Sequence, residues 1–391
     1  METKHTSKIS MRRQSYPAAR SISAKVQAYF AQHLSAAGDR GNSLDGFALA
    51  PGADAIEAIV DAAFWTSLRH EEGYVPRISL AFVSPEQTAH PVIFQRPLAL
   101  DPASLTRVAP AVERAGIHLG VSRAENELYV WGTTRTLPKL CFVLEVAAPG
   151  LLVIKHHRGE ELGKFVNVAV LEGDQIKIVD EHATSLPDCP DLLASLLGFD
   201  SPASWVDSVN VLVQLAVSMR LHGRGGSLLI VDGASDRWRE SVLLPIPYAL
   251  SPALGELAEL SRERPDRKRR KAWLEELRRA VDATAGLTAV DGAAVLTNTF
   301  ELLGFGAKIS RRQGQPRVEQ VTVTEPVEGI VSAIVHPEQL GGTRHLSAAQ
   351  FVHDQHDTLA LVASQDGRFT VFAWSPCEGM VHAHRVETLL M

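Results

Sequence analysis

Apolar spacing changes character twice along the chain. "SISAKVQAYFAQHLSAAG" puts Val26, Tyr29, Phe30 and Leu34 on one helical stripe, with Gly38 as a stop. "ADAIEAIVDAAFWTSLRHEEG" repeats the three-and-four spacing and ends before Gly73. Alternating short runs then take over: "RISLAFV", "HPVIFQ", "GIHLGV", "ELYVWGT", "LCFVLEVA", "GLLVIKHH", "KFVNVAVLEG" and "QIKIVDEH", punctuated by Gly, Pro and Asn. One helix, "PASLTRVAPAVERAG", interrupts them. This texture predicts an α+β domain over residues 24–187 with a mostly antiparallel sheet, behind a disordered polar leader at 1–23.

"SLPDCPD" breaks the pattern, and residues 188–203 are expected to be a linker into a second domain at 204–391. There "SWVDSVNVLVQLAVSMRLHGRGG" predicts a helix with a glycine stop, and "SLLIVDG" a buried strand. "SPALGELAEL" and "RKAWLEELRRAVDATAG" predict helices joined by the charged run "SRERPDRKRRK". The rest alternates strands ("LTAVDGAAVLTN", "ELLGFGAKIS", "VEGIVSAIV", "TLALVASQDGRFTVFAW") with one helix, "HLSAAQFVHDQ". The expected fold class is α/β, a mixed central sheet flanked by helices, preceded by the α+β domain.

Composition narrows the function classes. With 391 residues, 45% hydrophobic and 21% charged, the chain has ample material for two cores. A formal charge of −6 speaks against a generally basic nucleic-acid binder. Cys141, Cys189 and Cys377 lie far apart, which suits a reducing compartment better than a disulfide framework or a zinc knuckle. No apolar run approaches a membrane span, and the polar, basic N-terminus lacks the apolar core of a secretory signal. The expectation is a soluble, cytoplasmic protein.

The richest stretch for chemistry is "LGGTRHLSAAQF". Gly341 and Gly342 form a turn, and Thr343, Arg344 and His345 sit where a helix begins. Free N–H groups and the positive dipole end suit an anion there, and arginine adds a planar donor fork. Spacing alone leaves this reading level with a simpler one, a glycine turn with a surface arginine and a capping threonine. Asp291-Gly292-Ala293 is a second candidate, expected at the end of an apolar strand. Alone it is weak, since Asp232-Gly233-Ala234 repeats the tripeptide after another strand.

Taken together, "VDGAAV", "GGTRHLSAA" and an apolar strand into "ASQDGRF" resemble the catalytic domain of diadenylate cyclases, the family of the DNA-integrity scanning protein. The likeness spans roughly residues 204–391, and "GRGGSLLIVDG" and "LLPIPYALS" resemble the family's first strand and the segment after it. The resemblance implies an enzyme that condenses two ATP into cyclic di-AMP between two facing protomers, with Mg2+ or Mn2+ and release of two pyrophosphates. It further implies Asp291 beside the reacting hydroxyl and metal, Gly292 and Ala293 along the adenosine, and Gly342, Thr343, Arg344 and His345 on the phosphates. The same resemblance implies Ser364 near the phosphates and Asp366 near both the phosphates and the metal. The N-terminal domain resembles the sensor domains in front of such cyclases, and would respond to an unidentified ligand or partner. Two positions depart from the family pattern: Leu346 stands where the family has a second arginine, and Gln365 where it often has an acid. The alternative is therefore a nucleotide-binding regulator that keeps the fold without the chemistry.

Other clusters carry less. Arg262 to Lys271 includes Glu263 and Asp266, no aromatic residues interleave and the flanks are helical, so it reads as a solvated helix junction rather than a nucleic-acid site. "HHRGE" and "HDQHD" hold metal-ligand residue types, but adjacent histidines in a strand face opposite ways and no third ligand is evident. Arg311, Arg312 and Arg317, in a segment read as added loop length, could replace the missing arginine.

Overall fold

The structure, a computed structural model, describes residues 15–39, 45–70, 73–125, 127–157, 165–180, 211–266 and 268–391. It divides into two compact units, the first closing at Ile176 and the second opening at Lys177. That division falls ahead of the "SLPDCPD" break; the break and the 188–203 linker lie outside the described residues.

The first unit opens with helix α1 (Pro17–Asp39), which takes in residues 17–23 expected in the leader. Proline is tolerated as the first helical residue, where its missing N–H costs nothing. The helix starts early because Ala18, Ala19 and Ile22 are buried and the Tyr16 ring stacks on Phe64 at 3.7 Å. Helix α2 (Ala53–Ser67) buries Ile56, Ile59, Val60 and Ala63 on one stripe. Strands β1 (Ser79–Phe82) and β2 (Val92–Ala99) follow, then α3 (Pro102–Val112), whose N-terminus Asp101 caps by accepting from the amides of Ala103 and Ser104. Strands β3 (His118–Ala124), β4 (Glu127–Thr134), β5 (Phe142–Ala148), β6 (Leu151–His157), β7 (Phe165–Glu172) and β8 (Gln175–Ile178) complete an eight-stranded sheet. Its order is β2-β4-β3-β1-β5-β6-β7-β8. β1 pairs in parallel with β3, and the other registered pairs are antiparallel. Helix α2 lies on β5 and β6, while Ala81, Val83, Trp131, Cys141 and Val143 form a separate apolar cluster. Gly120 is required there, because a Cβ at 120 would sit 2.1 Å from the Trp131 ring.

The second unit contains α4 (Val211–Leu221), β9 (Gly226–Val231), β10 (Tyr248–Leu254), α5 (Glu256–Arg262), α6 (Arg270–Leu287), β11 (Ala293–Thr297) and β12 (Leu302–Ala307). These are followed by β13 (Val321–Thr324), β14 (Ala333–Val335), α7 (Thr343–Asp354), β15 (Leu359–Ala363), β16 (Phe369–Ser375) and β17 (Met380–Arg385). Nine strands form one mixed sheet, ordered β10-β12-β11-β9-β15-β16-β17-β13-β14. β9 runs parallel to β11 and β13 to β17; the remaining pairs are antiparallel.

Alternation along each central strand feeds two cores. Leu228, Ile230, Leu361 and Val371 pack with α4, α5 and α6, through Leu215, Leu257, Trp273 and Leu277. Leu229, Val231, Val362 and Phe372 pack with α7, through Ala348, Phe351 and Val352. A sheet covered on both faces explains why these strands are apolar almost without interruption.

Two expectations change here. Ser251–Leu254, expected within a helix, belongs to β10, because Leu254 pairs with Leu302 of β12 and the helix begins only after Gly255. The segment read as added loop length contains β13, which pairs with both β14 and β17. It is also fastened to α7: the Val318 amide donates to Gln350, whose own side-chain amide donates to the Pro316 carbonyl.

Candidate functional site

One end of the second unit's sheet gathers segments far apart in sequence. Parallel β9 and β11 both begin there, with Ala293 opposite Ser227. β12 and β15 finish there, with Ala307 opposite Ala293 and Ala363 opposite Gly226. β16 starts there as well, since Phe369 faces Ala363. Strand directions alone therefore bring Gly225, Asp291-Gly292-Ala293, Lys308 and the 364–368 turn to the same edge.

Asp291 stands before β11 rather than at the end of a strand. Helix α6 runs on to Leu287 and residues 288–290 wind off it as a turn, so the strand expected there begins only at Ala293. The other Asp-Gly-Ala, at 232–234, follows the last residue of β9 and so lies at the opposite sheet end. Gly292 has φ +111°, and a Cβ there would lie 2.5 Å from the Gly306 carbonyl carbon, so this turn needs glycine. The Asp291 side chain is 92% exposed, and its Oδ2 meets Lys308 Nζ at 2.5 Å. That ammonium, followed by the more distant positive charge of Arg344, holds the carboxyl below the usual aspartate range.

Helix α7 delivers Arg344 to the same edge. A Cβ on Gly225 (φ +70°) would lie 2.8 Å from Arg344 Nη1 and 3.3 Å from both the Ala363 carbonyl and Gln365 Cγ. Gly342 is the N-cap and offers no side-chain cap, so the first amides of α7 are not claimed by one, and Thr343 is an exposed first-turn residue rather than the cap. His345 turns inward: it is 3% exposed, meets Phe372 edge-on, and its Nε2 has no hydrogen-bond partner. Burial pushes its pKa down, against a smaller opposing pull from Asp366, so it serves as a neutral ring. Gly341 accommodates it, since a Cβ there would sit 2.4 Å from His345 Nδ1.

The third segment is a tight turn. The Ser364 amide donates to the Arg368 carbonyl at 2.9 Å, and Gly367 adopts φ +86°. A hydrogen bond from Ser364, more than any other influence, keeps the Asp366 carboxyl below its ordinary range. Arg368 Nε lies 3.3 Å from Asp366 Oδ2. Gln365 reaches the other way and donates to the Arg224 carbonyl at 3.3 Å.

The residues read as candidates thus lie around one corner, with Asp291, Gly292 and Ala293 on one side and Gly342, Thr343, Arg344, Ser364 and Asp366 on the other; His345, expected on the phosphates, is instead buried behind them. Lys308 and Arg368 join them and carried no sequence signal, since a single cation after a strand or in a turn has no periodicity to mark it. Leu346 is half-buried against the α7 core. Arg312, one possible substitute for the missing arginine, is committed elsewhere: its Nε pairs with Glu240 at 2.6 Å and its amide donates to Asp354.

The remaining clusters resolve into structure. Arg262 pairs with Glu301 at 3.7 Å and Arg269 with Glu263 at 3.9 Å, while Trp273 closes the α5–α6 junction by donating to the Leu260 carbonyl. His156 stands beside Tyr29 and His33, whereas His157 stands beside Phe165. His353 and His356 both contact Trp374, the latter stacked at 3.6 Å. Among the described residues no three His, Cys, Asp or Glu side chains converge as a metal cage, and no helix is long and apolar enough to cross a membrane.

Residues 45–135, which take in α2, β1, β2, α3, β3 and β4, match a family described as "Probable sensor domain DACNV", the N-terminal sensor domain of DAC-family proteins. The match includes none of the second unit. No curated protein matches the chain.

Proposed function

We propose that the C-terminal unit is a diadenylate cyclase that condenses two ATP into cyclic di-AMP and releases two pyrophosphates, under control of the N-terminal sensor unit. One observation carries the reading: three segments resembling the family's motifs meet at a single sheet edge, close enough for Arg344 to act on the charge of Asp291. The sensor-domain match at residues 45–135 supports it independently.

In this reading Arg344 and the uncapped amides of α7 hold the triphosphate, with the Thr343 hydroxyl as a further donor. Gly292 and Ala293 let the nucleoside approach the backbone, and Asp291 orients the attacking 3′-hydroxyl. That oxygen bonds to the α-phosphorus of the facing ATP, the bond to the pyrophosphate oxygen breaks, and the hydroxyl proton passes to solvent water. The same exchange at the second α-phosphorus closes the ring, which requires a facing pair of protomers. Such transfer depends mainly on alignment and charge neutralisation. Neutral His345 braces the start of α7 from behind, where its ring packs against Gly341 and Phe372.

A Mg2+ or Mn2+ of the kind that accompanies nucleotides takes one or two carboxylates and completes its shell with phosphate oxygens and water. Asp291 and Asp366, both held ionised, suit that role better than they would a closed protein cage. Such a metal would neutralise charge on the α-phosphate and the departing pyrophosphate.

A second reading has its own observation. Leu346 points a hydrocarbon into the α7 core where the family has an arginine, which favours a nucleotide-binding regulator without turnover. Incubation with ATP and Mg2+ or Mn2+, followed by mass spectrometry, separates the two. Cyclic di-AMP is expected from the full chain and is lost in Asp291→Asn; in Arg344→Ala it is lost together with ATP affinity. ATP binding without product under either metal would establish the regulator instead.

A further inference from the structure

We propose that Tyr248 is the base-stacking platform of this site, giving it selectivity for a nucleotide over a bare polyphosphate; this rests on the nucleotide reading above. Tyr248 opens the edge strand β10 and pairs with Phe305 of β12. Its ring lies nearly parallel to that of Phe305, with centroids 4.7 Å apart and planes 12° from one another. The residue nonetheless remains 51% exposed. Among the described residues of the C-terminal unit it is the one exposed Phe, Tyr or Trp ring. An aromatic ring held in fixed orientation by a second ring, with surface left open to water, meets the requirement for stacking a base with little ordering cost.

Its position ties it to the candidate site. A Cβ on Gly306 (φ +73°) would lie 2.9 Å from Tyr248 Cδ2 and 3.7 Å from the Asp291 carbonyl oxygen, so ring and aspartate flank the same point. Glycine at 306 removes the side chain that would push the ring away. Gly304, two residues earlier, would bring a Cβ within 2.9 Å of the Tyr248 carbonyl, so this strand pair also approaches too closely for substitution there. A nucleotide whose phosphates meet Arg344 and whose sugar passes Asp291-Gly292 therefore has an aromatic surface next to it for the base. Hydrogen-bond readout of the base edge is not required, because stacking uses the π-face that every base presents.

Calorimetric titration of the full chain with ATP and with inorganic tripolyphosphate tests the assignment. Tyr248→Ala should weaken ATP binding about tenfold, and Tyr248→Phe should hold it within about twofold of wild type. Tripolyphosphate should bind all three proteins alike. Tyr248→Ala binding ATP as wild type does, or losing tripolyphosphate in equal measure, would overturn the platform and leave the nucleotide reading standing. Wild-type protein that binds neither probe would overturn the nucleotide reading, and the platform with it.

Discussion

Asp291 shows how far a single neighbour sets a carboxylate's behaviour. Lys308 is its closest cation, at 2.5 Å, and Arg344 acts from farther off. Its folded pKa is depressed, so the pair's contribution to stability is present above the unfolded pKa of about 3.9 and is lost as pH falls through the lower folded value. The carboxylate is almost fully exposed, so this contribution is slight and the informative readout is the titration itself. In Lys308→Met, the Asp291 carboxyl carbon should titrate in NMR at a higher pH than in wild type, moving towards the ordinary aspartate value. An unmoved midpoint would remove Lys308 as the cause. Asp291 and Arg344 were legible from their motifs. Lys308 was not, because its importance comes from β12 running antiparallel to β11, a pairing no local pattern encodes.

For helix α7 the decisive contrast is between Arg344 and Leu346, two residues apart, one exposed at the sheet edge and the other against the core. Leu346→Arg restores the family pattern in sequence but places a guanidinium where Leu346 now packs with the α7 cluster. It should cost about 1–3 kcal/mol in chemical denaturation and leave ATP affinity no better than wild type; a gain in affinity would show that the new arginine reaches the phosphates. Gly225→Ala probes the same helix from the strand side. It imposes a side chain at φ +70° and 2.8 Å from Arg344 Nη1, and so should weaken ATP binding while costing about 1–2 kcal/mol of stability. Element types were legible wherever burial is two-sided or strictly alternating, as in β9, β15 and α6. They were misread where long-range pairing decides: Ser251–Leu254 is drawn into β10 by β12, and Val321–Thr324 becomes a strand between β14 and β17. The start of α1 was hidden for a similar reason, since Tyr16 finds Phe64 far along the chain.

Across the whole protein, buried neutral histidines make stability sensitive to acid. His384 is fully buried on β17, hydrogen-bonded to the Thr324 hydroxyl at 2.7 Å, and burial pushes its pKa down to about 3. His345 is shifted in the same direction by the same cause. An unfolded histidine takes up its proton near pH 6.5 while the folded one does not, so stability is full above about pH 6.5 and declines as the medium is acidified towards the folded value. Melting temperatures measured from pH 8 down to pH 5 should fall below about pH 6.5, and His384→Gln should flatten that fall; parallel curves would assign the sensitivity to other groups. The nine-stranded sheet has a further practical consequence. Since every residue of the proposed chemistry lies where β9 and β11 begin, the opposite rim is spare: the Asp232-Gly233 turn and the Pro376–Gly379 hairpin lie a full strand length away. A dye or affinity handle spliced into that hairpin would report on the protein without entering its working corner.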